Sequence, residues 1–295
     1  MRVNPNLLPD LIADAAQTEQ QINNDLEQIA SGRSINRPSD NPADAATLVR
    51  NADQTAEVDQ FLRSTDSLNG EMQNADSALN SVVTILQRAI SLGVEGANGT
   101  SNASDRASLA AEVQGIQLQL VNVANLSYQG NYVFAGTATQ TAPYVVDSTS
   151  PTGVRYVGNS GVNTVTVGDH LTIATNVPGS QLFSADGADV FQAIQDLITN
   201  LQSGSNIDAA VNEVSTAYQH INAQRVFYGN AMNQLNTQQK YLNSETTQLA
   251  AQQNTVGGAD LSKVISDLVN AQTARQATLE AIPKTQQSNL FDYIK

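Results

Sequence analysis

Residues 207–256 read IDAAVNEVSTAYQHINAQRVFYGNAMNQLNTQQKYLNSETTQLAAQQNTV. Every seventh residue from Ile207 is apolar or aromatic: Val214, Ile221, Tyr228, Leu235, Leu242, Leu249 and Val256. Apolar spacing of seven held over this many turns predicts one long helix packed along a seam. At ~1.5 Å per residue it would extend roughly 75 Å. That is too long for a compact globule, so a rod is expected. The companion seam is Val211, Tyr218, Arg225, Met232, Gln239, Thr246 and Gln253, and its last half is polar. Apolar burial stabilises by ~25 cal/mol per Å². A stripe one residue wide is therefore marginal and needs partners.

The same period recurs upstream. Leu8, Ala15, Ile22 and Ile29 are seven apart, with Ile12 and Leu26 offset by four. Farther on, Leu68, Ala75, Val82 and Ala89 interleave with Met72, Leu79, Leu86 and Gly93. A polar loop from Gly96 to Ser104 precedes Leu109, Val113, Ile116, Leu120 and Val123. From Gly136 to Ala185 the helical period is lost. Pro143, Pro151 and Pro178 punctuate short β-branched runs at 145–146, 154–157, 164–167 and 171–174, which read as a β-rich insertion. Helical pattern returns at Val190, Ile194, Leu197 and Leu201.

The expected fold is mainly α. It is an elongated antiparallel helical bundle or coiled-coil rod built from N- and C-terminal halves, with a small β-rich insertion domain. Three layers are expected: 1–40 with 258–295 as a terminal inner domain, 41–135 with 188–257 as the long-helix domain, and 136–187 as the insertion.

Composition narrows the function classes. The chain has 295 residues and a formal net charge of −14, which argues against a nucleic-acid face. There is no Cys, so disulfides, thiol nucleophiles and Cys-ligated metals are excluded. The 29 Gln and 29 Asn together outnumber the 42 charged residues, and neutral amides pack side by side without like-charge repulsion. Aromatics are only 5%, so apolar stripes are expected and a dense aromatic core is not. No apolar run approaches ~18 residues, so no membrane span is expected. Met1 to Asp10 lacks the basic-then-apolar pattern of a cleaved secretion signal.

One loop stands out: Ser31-Gly32-Arg33-Ser34-Ile35-Asn36-Arg37-Pro38-Ser39-Asp40-Asn41-Pro42-Ala43-Asp44. Gly32 suits a left-handed C-cap. Pro38 and Pro42 are expected to stop the first helix, and Ser39 or Asp40 to cap the next, with Pro42 in its first turn. A helix–loop–helix connection explains most of the stretch. The same residues resemble the N-terminal signature of the bacterial flagellin family, carried by Gly32, Arg33, Ile35, Asn36, Pro38, Ser39, Asp40 and Pro42. Gln129-Gly130-Asn131-Tyr132-Val133-Phe134-Ala135-Gly136-Thr137 is similar to the family's segment leading to its outer domain. The ending Ser288-Asn289-Leu290-Phe291-Asp292-Tyr293-Ile294, the Met1-Arg2-Val3 start and the modest length resemble the family's hook–filament junction members more than its filament subunits.

The resemblance implies a structural adaptor of the bacterial flagellum, located extracellularly and exported unfolded without a cleaved signal. It implies a homo-oligomeric ring, with hook-associated protein 1 on the hook side, flagellin on the filament side and an export chaperone beforehand. The alternatives are a filament subunit, or an insertion carrying a binding or enzymatic module. The terminal stripes are too narrow to offset ordering entropy of ~1–2 kcal/mol per residue. They are expected to order only against each other and against neighbours. Leu8, Ile12, Ile22, Leu26, Ile29, Leu268, Leu279, Ile282, Leu290, Phe291 and Tyr293 are the expected assembly and chaperone handles, because an amphipathic helix invites a groove. Pro5 and Pro9 are expected to delay the first helix to Pro9 or beyond. Pro283 is expected to end or kink the last one, at ~3 kcal/mol for an interior position.

No catalytic, cofactor or metal site is expected. His170 and His220 are isolated, and Asp186-Gly187-Ala188-Asp189 lacks calcium-loop spacing and reads as a turn capping a helix at Val190. Asn98-Gly99-Thr100 fits a glycosylation pattern common in loops.

Overall fold

A computed structural model describes the backbone of residues 7–291 and the side chains of residues 9–283. The helices are α1 (Leu7–Ser31), α2 (Pro42–Ala97), α3 (Ala103–Ala124), α4 (Gly179–Leu182), α5 (Val190–Ser203), α6 (Ile207–Gly257) and α7 (Leu261–Phe291). Between α3 and α4 run three antiparallel hairpins: β1 (Ser127–Tyr128) with β2 (Asn131–Tyr132), β3 (Tyr144–Val146) with β4 (Val154–Tyr156), and β5 (Thr164–Gly168) with β6 (Leu171–Ala174). The chain is thus mainly helical with small two-stranded sheets. Its contacts divide it into two compact units, 1–57 with 245–295 and 58–244.

In the second unit the heptad residues do the packing. Met72, Ala75, Leu79, Val82, Leu86 and Ala89 of α2 are fully buried, as are Val214, Ile221, Tyr228 and Leu235 of α6. The companion seam of α6, from Val211 to Gln253, is only half-buried along its length. The second row inside the core is instead Ala210, Ala217 and Ala231, where small side chains let the neighbouring helices come close. Among the described helices α2 alone is long and apolar enough to cross a membrane. Its residues from Leu68 to Leu92 supply one side of the core, so this departure from the expectation comes from an amphipathic core helix.

Two distant parts of the second unit meet through Arg225. Its guanidinium donates to both carboxylate oxygens of Asp76, at 2.8 and 3.1 Å, and to Asn80 Oδ1 at 3.0 Å. Both partners are about three-quarters buried. A bidentate pair in such a setting outweighs an exposed one. Arg225→Ala leaves Asp76 without its cation and is expected to cost about 2 kcal/mol by urea denaturation. Arg88→Ala, which breaks the more exposed pair to Glu112, should cost under about 1 kcal/mol.

The aromatic expectation is corrected. Phe134, Tyr144, Tyr156, Phe183 and Phe191 gather into one cluster, with ring centroids 5.0–6.3 Å apart. Five of the fourteen aromatic residues of the chain thus meet where the β3–β4 hairpin packs against Phe183 and α5. Tyr144 is the centre of the cluster. Its hydroxyl donates to Gly179 O at 2.7 Å, and its backbone N–H and C=O are both bonded by the Asn125 side chain. Burial pushes the Tyr144 phenol far above its ordinary range. The insertion shares one core with α2, α3, α5 and α6.

The segment 129–137 is a tight anchor for the insertion. Gln129 and Gly130 both have positive φ and turn the β1–β2 hairpin. Val133, Phe134 and Ala135 are buried, and Phe134 O accepts from Gly179 N–H at 2.8 Å. Gly136 follows at φ +73°, against the Asn159 carbonyl.

Four helix-end expectations change. α1 starts at Leu7, before Pro9, because a first-turn residue has no intrahelical acceptor for its N–H and proline loses nothing there. It ends at Ser31, well before Pro38. Gly32 adopts φ +68° and its N–H bonds to Gln28 O at 2.8 Å, so glycine rather than proline terminates the helix. The next helix is capped by Asn41 rather than Ser39 or Asp40: Asn41 Oδ1 accepts from Asp44 N–H at 3.2 Å, and Asn41 Nδ2 donates to Asp44 Oδ2 at 2.5 Å. Asn41 stands immediately before Pro42, the first helical residue. α7 runs through Pro283 to Phe291, so the proline does not end it. The proline removes one backbone bond, its ring lies on an exposed face, and the flanking Ala, Leu, Glu, Lys and Gln are good helix formers.

Candidate assembly interface

The first unit brings the two chain ends together. α1 and α7 pack against one another. Their buried apolar seam is thin: Ile22 on α1, Val264 and Ala271 on α7. Arg275 Nη2 reaches Glu19 Oε1 across the pair at 3.4 Å. Ile29, Leu268 and Ile282 are half-buried. Ile12, Leu26 and Leu279 stand about half exposed or more, with Leu261, Ile265 and Val269 beside them in the same condition. Of the expected handles, then, Ile22 is spent inside the pair, while Ile12, Leu26 and Leu279 remain on its surface. The side chains of Leu8, Leu290 and Phe291, and all of Tyr293, lie outside the described residues.

The loop after α1 is stapled to the α6–α7 junction. Ser34 N–H donates to Gly257 O at 2.8 Å and Ala259 N–H to Gly32 O at 3.0 Å, making an antiparallel bridge between Arg33 and Gly258. Asp40 Oδ2 gathers the Asn36 and Arg37 N–H groups at 3.0 and 2.8 Å, folding the loop on itself. Asn36 Nδ2 donates to Arg33 O at 3.3 Å, and Arg37 returns to Glu27 on α1 at 3.1 Å. Ile35 is half-buried, whereas Pro38, Ser39 and Pro42 are exposed. A cleft of about 300 Å³ is lined by Gly32, Arg33, Leu48, Val49, Gly257 and Gly258. The loop's residue types are thus explained by local hydrogen bonds and by a backbone bridge. Sequence reading missed the bridge, since nothing in a single chain pairs residue 33 with residue 258.

The remaining candidates are structural. His220 Nε2 is bonded to Gln181 O at 2.8 Å, tying α6 to α4. His170 sits in the β5–β6 turn, after β5 ends at Gly168. Asp189 caps α5 by accepting from Gln192 N–H at 2.9 Å. Among the described residues no group of three or more His, Cys, Asp or Glu could hold a metal.

Residues 10–139 match the bacterial flagellin N-terminal helical region. The chain is 28% identical to flagellar hook-associated protein 3 of Salmonella typhimurium over 291 residues, covering 90% of each chain. It is 24% identical to flagellin of Listeria monocytogenes, covering 98% of this chain and 96% of that one. A solved structure of a putative flagellar hook-associated protein from Vibrio parahaemolyticus superposes with a TM-score of 0.67 at 21% identity, covering 73% of this chain and 98% of that one.

Proposed function

We propose, from the premise that residues 10–139 match the flagellin N-terminal helical region and that 90% of the chain is similar to hook-associated protein 3, that it is the structural adaptor joining hook to filament in a bacterial flagellum. The observation that carries the reading is the terminal helix pair. Among the described residues it buries three apolar side chains and leaves six large ones about half exposed or more. Such a seam cannot stabilise fifty-odd helical residues alone, since each ordered residue costs ~1–2 kcal/mol. Added copies supply the missing apolar area, so ordering and assembly are one event.

The adaptor works as a homo-oligomeric ring in the layers expected from the sequence. Its terminal helices face the axis, its insertion faces outward, hook-associated protein 1 lies on one side and flagellin on the other. Before assembly, export without a cleaved signal and a chaperone groove over the α7 stripe keep the ends apart. The relatives carry the names of structural flagellar proteins, and no catalytic role is assigned.

Two tests follow. Deleting the gene should release flagellin monomers into the medium, whereas deletion of a filament subunit leaves none to release. Leu26→Asp and Ile265→Asp change exposed positions, so the purified subunit should lose no more than about 0.5 kcal/mol of stability. The same variants should fail to restore swimming to the deletion strain, because assembly buries the new charge unpaired. Swimming at the wild-type level would overturn the assignment of this face.

A further inference from the structure

The chain holds two Asn-Gly pairs, and the fold treats them oppositely. Asn69-Gly70 lies inside α2, where the Gly70 N–H belongs to the helix ladder. A Cβ at Gly70 would stand 2.6 Å from the Tyr128 hydroxyl, so this stretch is held from the side as well. Asn69 is half-buried, and its Oδ1 is sealed without a donor among the described residues. Asn98-Gly99 lies in the loop between α2 and α3, with Asn98, Gly99 and Thr100 all exposed. The Gly99 N–H makes no hydrogen bond among the described residues, and nothing lies within 4 Å of its Cβ position.

The Asn98 side chain is folded over this open peptide. Its Oδ1 accepts from the Thr100 N–H at 3.2 Å and from the Thr100 hydroxyl at 3.1 Å. The first of these closes an Asx turn, a ring of atoms that includes both Asn98 Cγ and the Gly99 nitrogen. Backbone bonds fix the turn from Asn98 N–H to Glu95 O at 3.2 Å and from Ser101 N–H to Asn98 O at 2.9 Å. An uncommitted amide nitrogen therefore faces a carbonyl carbon whose oxygen already has two donors. Donors aimed at an oxygen that gains negative charge lower the barrier to addition at its carbon.

We propose that Asn98-Gly99-Thr100 is a self-modifying site, at which the chain hydrolyses its own Asn98 amide with Thr100 as the positioning residue. The Gly99 nitrogen gives its proton to solvent hydroxide and bonds to Asn98 Cγ. The Cγ–Nδ2 bond breaks, and ammonia leaves with a proton taken from water. The resulting five-membered imide is opened by a second water. Opening at Cγ gives aspartate, and opening at the backbone carbonyl gives an isoaspartyl link through Cβ. One water is consumed and one ammonia released in the balance. Either product adds a negative charge to a cleft that Asn98 shares with Glu95 and Asp105. The isoaspartyl link also lengthens the main chain inside the turn, which breaks the Ser101 to Asn98 bond and loosens the α2–α3 connection. The reaction belongs to this loop alone and does not depend on the junction reading.

The test is incubation of the full-length folded protein at mildly alkaline pH, followed by trypsin and mass spectrometry against an unincubated sample. Fragment 89–106 carries Asn98 and fragment 64–88 carries Asn69. Asn98 should convert to the acid, with isoaspartate detected by enzymatic methylation. Asn69 should convert about tenfold more slowly or less, since α2 must open first. In urea the two rates should converge, because the bare dipeptides are the same. Thr100→Val should slow Asn98 several-fold and Thr100→Ser should restore it, with circular dichroism unchanged in both. Conversion of Asn98 no faster than Asn69 in the folded protein overturns the site. A Thr100→Val rate equal to or above wild type overturns the role of Thr100. Failure of the junction reading would appear instead in the swimming and flagellin-release assays, with these rates unaltered.

Discussion

Tyr144→Ala should lower the stability of the second unit by about 4 kcal/mol in urea denaturation followed by circular dichroism, within the range for deleting a fully buried aromatic ring. The side chain is 2% exposed and contacts Tyr156, Phe183 and Phe191, each with centroids under 6 Å away. Its removal leaves a cavity lined by rings, which fill space poorly by relaxation. Tyr144→Phe separates packing from hydrogen bonding. It keeps the ring and loses only the hydroxyl bond to Gly179 O, which still accepts from Phe183 N–H. That change should cost about 1 kcal/mol. Equal costs for the two variants would mean that the cluster is held by its hydroxyl and not by its packing.

Gly136→Ala should be comparably severe, at about 3 kcal/mol or more. Two penalties coincide. The φ of +73° is a conformation that a Cβ resists, at ~1–2 kcal/mol. The added methyl would also land against the Asn159 carbonyl, which is part of the backbone and cannot swing away. Overpacking adds ~1–3 kcal/mol. Gly130→Ala is the control. Its φ is +85°, but nothing lies within 4 Å of the added Cβ. It should therefore cost only about 1 kcal/mol. The difference between the two measures the close approach itself.

Much of this architecture was legible in the residues. The apolar series from Ile207 predicted α6 nearly to its last residue, and the β-branched run Leu171 to Ala174 coincides with β6. Periodicity works there because each side chain reports its own burial. Three features escaped it. The alanine row Ala210, Ala217 and Ala231 is weakly apolar by composition, yet it sets how closely helices approach. The aromatic cluster assembles from residues as far apart as Phe134 and Phe191, and a whole-chain percentage dilutes it. The bridge between Arg33 and Gly258 is made by backbone atoms, which carry no residue signature. At the termini the apolar pattern marked the right helices but did not separate inward from outward faces. Ile22 and Leu26 are both apolar and one turn apart, and only the second is left on the surface.

The ring cluster also bears on how the protein changes over generations. Hairpin and helix residues own that knot jointly, so the 136–187 segment is not a cassette that can be traded whole between lineages. An imported version would arrive with rings shaped for someone else's Phe191 and Phe134. Variation should instead be tolerated best in the Asp147–Gly153 turn, whose hydrogen bonds are made almost wholly within the hairpin itself. Diversity in this segment should therefore accumulate by drift at hairpin tips rather than by exchange of modules.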